Sequence, residues 1–178
     1  MNYQPSEAVA GGRGRYRVRA RRRLSELYET HSGWAVRLAY VITQDKELAQ
    51  DVVQDAFVKV FGRFKERLPS DEFSAYLRRT VVNLCNDHWR RKRVERRYLS
   101  IQRTDETLND PDLDTRNDIA ASLRRLPVRQ RTVLVLKHYE GLSEREIADV
   151  LQTSVGAIKG LTTRGVANLR QDIGGRHD

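Results

Sequence analysis

The sequence predicts an all-α protein made of two small helical domains joined by a flexible acidic linker. Apolar residues recur at helical spacing over residues 24–98 and again over 117–173. The strict alternation of apolar and polar residues that marks a half-buried strand does not compete anywhere. Between the two helical blocks, residues 99–116 are acidic and poor in large apolar side chains. A chain of 178 residues is long enough for two such domains.

Residues 1–23 precede the first block and are predicted to form a flexible basic arm. They contain Gly11 and Gly12 and few apolar side chains. Such a segment cannot bury enough apolar surface to offset the entropy lost on ordering. Its arginines alternate along the chain and then run together, at positions 13, 15, 17, 19 and 21–23. The arm either contacts phosphates or is a solvated tail with no fixed partner.

The first domain, residues 24–98, is predicted to contain several helices. Leu27, Trp34, Leu38 and Val41 mark a first helix or pair of helices. A second apolar stripe follows, with Asp45 or Thr43 as its cap, at Leu48, Val52, Ala56 and Val60, widened by Ala49, Val53, Phe57 and Phe61. The segment 64–74 surrounds Pro69 and is interpreted as a loop. A further helix toward Trp89 is marked by Phe73, Leu77, Val81 and Leu84.

The linker, residues 99–116, differs in composition from both flanking segments, which are basic. Its acidic residues cluster around Pro111, at positions 105, 106, 110, 112 and 114. The second domain then begins with an apolar stripe at Ile119, Leu123 and Leu126 that stops at Pro127. A new stripe runs through Val133, Leu134, Leu136 and Tyr139 to Gly141, which is a natural helix C-terminus.

The stretch from Leu142 to Lys159 has the pattern of a helix-turn-helix. Ser143 and Glu146 have the spacing of a capping box, which starts a helix. A second cap at Thr153 or Ser154 opens another helix, which continues to Leu169. We expect its inward residues to be Val155, Ile158, Leu161 and Val166, and its outer ones to be Lys159, Thr162, Thr163 and Arg164. Such a motif places its second helix in the DNA major groove. The alternative is an ordinary helical hairpin with a solvated basic face.

The overall charge favours a polyanionic partner. Formal net charge is +9 and the sequence pI is about 10.0. Ribosomes, RNA, DNA and anionic membranes all satisfy this on charge alone. The sequence contains no apolar run near the roughly 20 residues needed to span a bilayer. The N-terminus lacks the apolar core of a signal peptide, so a cytoplasmic location is expected.

The residues that bear metal and catalytic chemistry do not form a recognisable site. Cys85 is the single cysteine, which excludes an internal disulfide, and the histidines are scattered without metal-ligand spacing. We therefore expect no metal and no cofactor. No nucleophile elbow, paired-carboxylate site or nucleotide-binding loop is present, which predicts a protein that is not an enzyme.

Two further segments are candidates for binding. Asp51, Gln54 and Asp55 form an acidic and polar ridge on a helix whose other face is apolar. The ridge either docks a basic protein partner or is a solvated face. Downstream, Asn83 and Asn86 lie three residues apart on one helix face, and their amides can bind base edges. The same helix ends in cations able to neutralise phosphates, including Arg90, Arg91 and Arg93.

These pieces, in this order, resemble a sigma factor of the sigma-70 superfamily, in its compact extracytoplasmic-function (ECF) group. The resemblance covers about residues 24–173. Residues 48–57 are similar to the helix that binds the clamp coiled coil of RNA polymerase, and 73–97 to the part that melts and reads the −10 promoter element. Residues 141–170 are similar to the reader of the −35 element.

The resemblance implies a role for each candidate residue. Asp51, Gln54 and Asp55 would contact the polymerase clamp. The −10 DNA would be bound by Asn83, Asn86, Arg90, Arg91 and Arg93, and the −35 major groove by Ser154, Lys159, Gly160, Thr163 and Arg164. It also implies a contact between the C-terminal domain and the polymerase flap, and a regulatory anti-sigma factor. The acidic linker would run through the polymerase active-site cleft.

The recognition helix departs from the usual family pattern. Members commonly have Gly where Gln152 stands, Thr-Val-Lys-Ser where 157–160 reads Ala-Ile-Lys-Gly, and Arg-Ala where 164–165 reads Arg-Gly. The missing hydroxyls predict an altered −35 preference. Gly160 and Gly165 are each expected to weaken the helix by roughly 1 kcal/mol relative to Ala.

Two other functions remain as alternatives. A stand-alone repressor or activator would use only the helix-turn-helix, as a dimer on paired half-sites, and would leave the ridge and the Asn83 segment unexplained. A general RNA- or ribosome-binding protein would show a steep salt dependence and little sequence preference.

Overall fold

The computed structural model describes residues 10–64, 69–99 and 118–174. Within these ranges the chain forms seven α-helices and no strand, which confirms the all-α prediction. They are α1 (Ala10–Thr43), α2 (Lys46–Phe64), α3 (Ser70–Leu99), α4 (Asp118–Arg125), α5 (Val128–His138), α6 (Glu144–Leu151) and α7 (Val155–Gly174). None of these helices combines the length and apolar character needed to cross a membrane. The predicted linker lies almost entirely outside the described residues.

The N-terminal domain is a three-helix unit in which α1, α2 and α3 each pack on the other two. Its core is formed by fully buried residues from all three helices, among them Leu38, Ile42, Val53, Leu77 and Val81. Aromatic rings extend this core, since the ring centroids of Phe57 and Phe73 lie 5.8 Å apart. The turn between α1 and α2 is fixed by Asp45, whose Oδ1 accepts from the Leu48 N–H at 3.0 Å.

Two boundaries differ from the sequence predictions. Residues 10–23, interpreted as part of a flexible arm, belong to α1. Arginine and alanine are good helix formers, and a helix already nucleated by packed residues extends at low cost. Residues 70–74, interpreted as loop, form the first turn of α3, because Phe73 is buried in the core and Glu72 suits a helix N-terminus.

The C-terminal domain is built around α5, which packs on α7, α6 and the N-terminal domain. Pro127 occupies the N-cap of α5, and Gly141, the predicted helix stop, adopts a left-handed conformation with φ +69°. Asp172 near the end of α7 holds α4. It accepts from the Ser122 hydroxyl at 2.6 Å and from the Arg125 guanidinium at 2.7 Å. The end of the recognition helix is thereby fixed to the start of its domain.

The two domains pack against one another. α5 contacts α1 and α3, and α6 contacts α3. Buried apolar residues of both domains form one continuous cluster. The sequence predicted two tethered units and gave no sign of this contact.

Candidate nucleic-acid interface

The first helix of the helix-turn-helix begins with the predicted capping box. The Glu146 N–H donates to Ser143 Oγ at 3.3 Å, and the Ser143 N–H donates to Glu146 Oε2 at 2.8 Å. The hydrogen bonds from Ser143 lower the pKa of the Glu146 carboxyl. α6 ends at Gln152, which has φ 50°, a left-handed conformation that glycine adopts without strain. This local geometry sets the sharp turn into the recognition helix.

The recognition helix α7 begins at a cap formed by Ser154, whose Oγ accepts from the Ala157 N–H at 3.2 Å. This resolves the choice between Thr153 and Ser154. Ile158 is fully buried, as predicted, whereas Leu161 and Val166 are only partly buried. The inward placement of Val155 is wrong, because this residue is 38% exposed in the first turn.

The outer face of α7 carries the residues predicted for the −35 groove. Lys159, Thr163 and Arg164 are exposed and Gly160 is partly buried. The Thr163 hydroxyl donates to the Lys159 carbonyl oxygen at 3.0 Å. Lys159 and Arg164 therefore present the free cationic donors of this face, and the Thr163 hydroxyl oxygen remains able to accept. We call Lys159, Gly160, Thr163 and Arg164 the recognition face.

The two unusual glycines of α7 have different surroundings. A Cβ at Gly160 would meet only the tip of the Arg164 side chain, at 3.4 Å or more. A Cβ at Gly165 would lie 3.1 Å from Leu134 Cδ1 and 3.2 Å from its Cγ. Gly165 is buried against α5, so it permits a closer approach of α7 to α5 than alanine does. Helix propensity alone therefore does not decide whether Gly165 stabilises or destabilises the chain relative to alanine.

The acidic ridge, Asp51, Gln54 and Asp55, lies on the exposed face of α2. Its opposite face is buried, with Val53 and Ala56 fully inaccessible. Val58, which sequence reasoning missed, continues the ridge and is 72% exposed. The spacing 51, 54, 55 and 58 follows one stripe of a helix, so this apolar tip was detectable from the sequence.

The candidate −10 residues lie along α3 and differ in their exposure to solvent and in their contacts. Asn83 is partly buried, and Arg90 and Arg91 are exposed. Nothing is described of the Arg93 side chain. Asn86 lies at the boundary between the domains, where its Oδ1 accepts from the Thr132 hydroxyl of α5 at 3.4 Å.

The three sets of candidate residues thus occupy three helices. The acidic ridge on α2 and the recognition face on α7 are open to solvent, while part of the α3 set contacts the C-terminal domain. The arrangement offers one acidic surface and two basic ones. It can bind a basic protein and nucleic acid at separate places.

Comparison with known proteins identifies both domains. Residues 27–95 match the family description Sigma-70 region 2, and residues 116–169 match Sigma-70, region 4. The RNA polymerase sigma-E factor of Streptomyces avermitilis is 30% identical over 158 residues, covering 85% of each chain. The ECF RNA polymerase sigma factor SigW of Bacillus subtilis is 26% identical over 165 residues, covering 84% of this chain and 88% of the relative.

Solved structures show the same fold over most of the chain. CnrH in complex with the cytosolic domain of CnrY has a TM-score of 0.58 at 27% identity, covering 87% of this chain and 90% of that one. The sigma factor RpoE in complex with the anti-sigma factor NepR from Bartonella quintana has a TM-score of 0.60 at 19% identity, covering 86% and 95%. Family membership removes the two alternative functions, because neither uses region 2. The chain belongs to the sigma-70 superfamily of RNA polymerase sigma factors, in the extracytoplasmic-function group.

Proposed function

We propose that this sigma factor joins core RNA polymerase through the acidic ridge and reads promoters with α3 and α7, without performing catalysis. The observation that carries the proposal is the separation of surfaces by charge. The ridge is an exposed acidic stripe on a protein whose net charge is +9. Nucleic acid is repelled from such a stripe, whereas a basic protein surface is attracted to it.

The polymerase contact is assigned to Asp51, Gln54 and Asp55, with Val58 as an apolar addition. The charged residues steer a basic coiled coil, as the clamp would present, into position. The exposed Val58 offers apolar area to bury at the end of the same stripe. A second polymerase contact, between the C-terminal domain and the flap, is part of the proposal.

The DNA contacts are assigned to two helices. α7 would enter the −35 major groove with Lys159, Thr163 and Arg164, while Ser154 sets the start of the helix. On α3, Asn83 and Asn86 would bind unpaired −10 bases, and the arginines at 90, 91 and 93 would neutralise phosphates. Binding energy from the assembled complex would offset the cost of unpairing, a few kcal/mol per flipped base.

Regulation and location complete the proposal. An anti-sigma partner is supported by similarity to the structure of the sigma factor RpoE, which is described as bound to the anti-sigma factor NepR. Because polymerase and promoter DNA are the proposed partners, the chain would act in the cytoplasm. The acidic linker would pass through the polymerase active-site cleft.

The decisive experiment combines purified core polymerase with this chain on genomic DNA and sequences the transcripts. Initiation at a defined set of positions that depends on the chain supports the proposal, and its absence defeats it. Asp51→Arg tests the ridge directly, because it places a cation against a basic partner. We expect a loss of core affinity of about tenfold or more, from like-charge contact.

Glu29→Arg is the matched control, since it makes the same charge change at an exposed position on α1. It should leave core affinity unchanged. Equal affinities for the wild type and Asp51→Arg would identify the ridge as an ordinary solvated face.

A further inference from the structure

Most of the net positive charge of the chain lies in the first turns of α1. Residues 10–23, which we call the arginine segment, contain seven arginines and no acidic residue. They therefore carry +7 of the net charge of +9, and the rest of the chain is left with +2. The charge that favours a polyanionic partner is thus concentrated in a segment to which the proposed function gives no role.

The arginine segment extends α1 beyond the core of the N-terminal domain. Leu24 is partly buried against the core and Leu27 is buried, so these residues anchor α1 to its domain. Just before them, Arg21 and Arg22 are exposed. Arg22 Nε donates to Glu26 Oε1 at 3.0 Å, but both side chains are more than half exposed, and such ion pairs contribute little to stability. The match to Sigma-70 region 2 starts at residue 27, so the segment is an addition to that domain.

The composition of the arginine segment opposes the helix that it forms. Gly11, Gly12 and Gly14 each destabilise a helix relative to alanine. Like charges four residues apart repel one another on a helix. The segment contains four such pairs of arginines, which are 13 with 17, 17 with 21, 15 with 19, and 19 with 23. A polyanion beside the helix neutralises this repulsion, so its binding stabilises the helix.

The spacing of the arginines suits the phosphates of a DNA duplex. A helix rises about 1.5 Å per residue, so seven arginines in this segment give one cation about every 3 Å along the axis. Each strand of duplex DNA carries one phosphate about every 3.4 Å. A membrane surface fits less well, because a helix that lies in a membrane needs an apolar face. The only large apolar residues of the segment are Tyr16 and Val18.

We infer that the arginine segment binds the phosphates of duplex DNA without reading their sequence. This goes beyond the proposed function, in which duplex DNA is bound by α7. Positions 13 and 17 lie on one side of a helix of 3.6 residues per turn, and positions 15 and 19 lie on the opposite side. A straight helix rests on a duplex through one side, so one of these two pairs contacts phosphates and the other does not.

The test compares two double variants of the full-length chain. One combines Arg13→Gln with Arg17→Gln, and the other combines Arg15→Gln with Arg19→Gln. Glutamine forms helices about as well as arginine, so each variant loses charge while its helix propensity is nearly unchanged. Binding to a short fluorescent duplex of scrambled sequence is measured between about 50 and 200 mM salt.

The salt dependence of binding reports how many phosphates are contacted. Each lost contact reduces the slope of log affinity against log salt by about 0.9, so the variant that removes the contacting pair should lose about 1.8. Over the same salt range, the affinity of the wild type should then fall about tenfold more than that of this variant. The other arginine variant should change the slope by less than half as much. Wild-type slopes in both would overturn the inference, and equal losses in both would refute the one-sided helical contact.

The matched control combines Lys59→Gln with Arg63→Gln. These two residues are exposed on α2 and are also four positions apart, so the same charge is removed at the same spacing. This variant should keep the wild-type salt slope. A slope reduced as much as in the arginine variants would attribute the effect to net charge alone and contradict a contact by the segment.

Hydrogen exchange of the wild-type chain gives a second readout. The amides of residues 10–23 should exchange several-fold more slowly when the scrambled duplex is added, because phosphates remove the repulsion between arginines in the helix. The amides of residues 35–42, where α1 contributes buried core residues, are the internal control and should not change. Unaltered exchange in residues 10–23 would show that DNA does not contact the segment.

Two further measurements separate other roles. Loss of affinity for vesicles of phosphatidylcholine and phosphatidylglycerol, without loss for the duplex, would assign the segment to a membrane surface and contradict the inference. With core polymerase on genomic DNA, both arginine variants should initiate at the wild-type positions. A different set of positions would show that the segment reads sequence. If no initiation depends on the wild-type chain, the proposed function fails, whereas the duplex measurements still decide the role of the segment.

Discussion

Replacing the two glycines of the recognition helix with alanine should give opposite effects on stability. Both changes improve helix propensity by about 1 kcal/mol, because alanine loses less backbone entropy than glycine on entering a helix. At Gly160 the new Cβ meets only the flexible end of Arg164, at 3.4 Å or more. Gly160→Ala should therefore stabilise the chain by about 1 kcal/mol.

At Gly165 the same propensity gain is opposed by packing. The new Cβ would lie 3.1 Å from Leu134 Cδ1, and Leu134 is only 4% exposed, so it has little room to move. Overpacking of a core costs typically about 1–3 kcal/mol. The net effect of Gly165→Ala should be a destabilisation of about 0–2 kcal/mol, which places it about 1–3 kcal/mol below Gly160→Ala.

Urea unfolding followed by circular dichroism measures these free energies. Leu134→Ala removes the two atoms that lie closest to the new Cβ and leaves only Gln130 Cβ, at 3.4 Å, so Gly165→Ala in that background should regain most of its propensity gain of about 1 kcal/mol. The coupling between positions 134 and 165 is read from the double-mutant cycle. If Gly165→Ala stabilises the otherwise wild-type chain as much as Gly160→Ala does, then packing against Leu134 does not require glycine at position 165.

Three further predictions concern the function and the cap. Arg164→Ala should cost about 1–3 kcal/mol at −35 sites and relax specificity, measured by binding to a library of duplexes; equal losses on all DNA would contradict this role. Asn83→Ala should spare core binding yet reduce open-complex formation, measured by permanganate reactivity of the melted bases; unchanged melting would remove Asn83 from the site. Because hydrogen bonds from Ser143 lower the pKa of the Glu146 carboxyl, the capping box stabilises α6 fully above the ordinary pKa of a glutamate and weakens as pH falls through the lowered pKa. Glu146→Gln keeps an acceptor without this titration, so its unfolding free energy should fall less on acidification; identical pH profiles would disprove the link.

Signals that act over a few residues predicted structure well. The capping box at Ser143 and Glu146, the left-handed Gly141 and the cap at Asp45 all appear in the structure. Each depends on hydrogen bonds or backbone angles within one turn of chain, so residue type and spacing suffice to find it. The assignment of DNA and polymerase roles depended instead on the order of motifs along the chain.

Contacts between distant segments were not predictable in this way. The fit of Gly165 against Leu134 joins positions 31 residues apart in sequence, and Arg78 meets Glu140 across 62. A glycine in a helix has the same helix propensity wherever the helix lies, so the sequence indicated only that Gly165 destabilises α7 relative to alanine. It did not indicate that Leu134 packs against this position. Likewise the helical continuation of α1 to Ala10 depends on the packed residues that follow it, which composition alone does not reveal.

The packing of the two domains and the charge pattern have a joint consequence for promoter search. A basic chain with an open −10 surface would bind single strands and phosphates wherever it met them, since that attraction is independent of sequence. In the structure the acidic ridge and the recognition face are exposed, whereas the Asn86 amide oxygen accepts a hydrogen bond from the Thr132 hydroxyl. Under the proposed function, the exposed ridge would attract a basic surface of polymerase and repel DNA, while the exposed recognition face would attract duplex DNA. The two partners would therefore approach the chain on separate helices and would not compete for one surface.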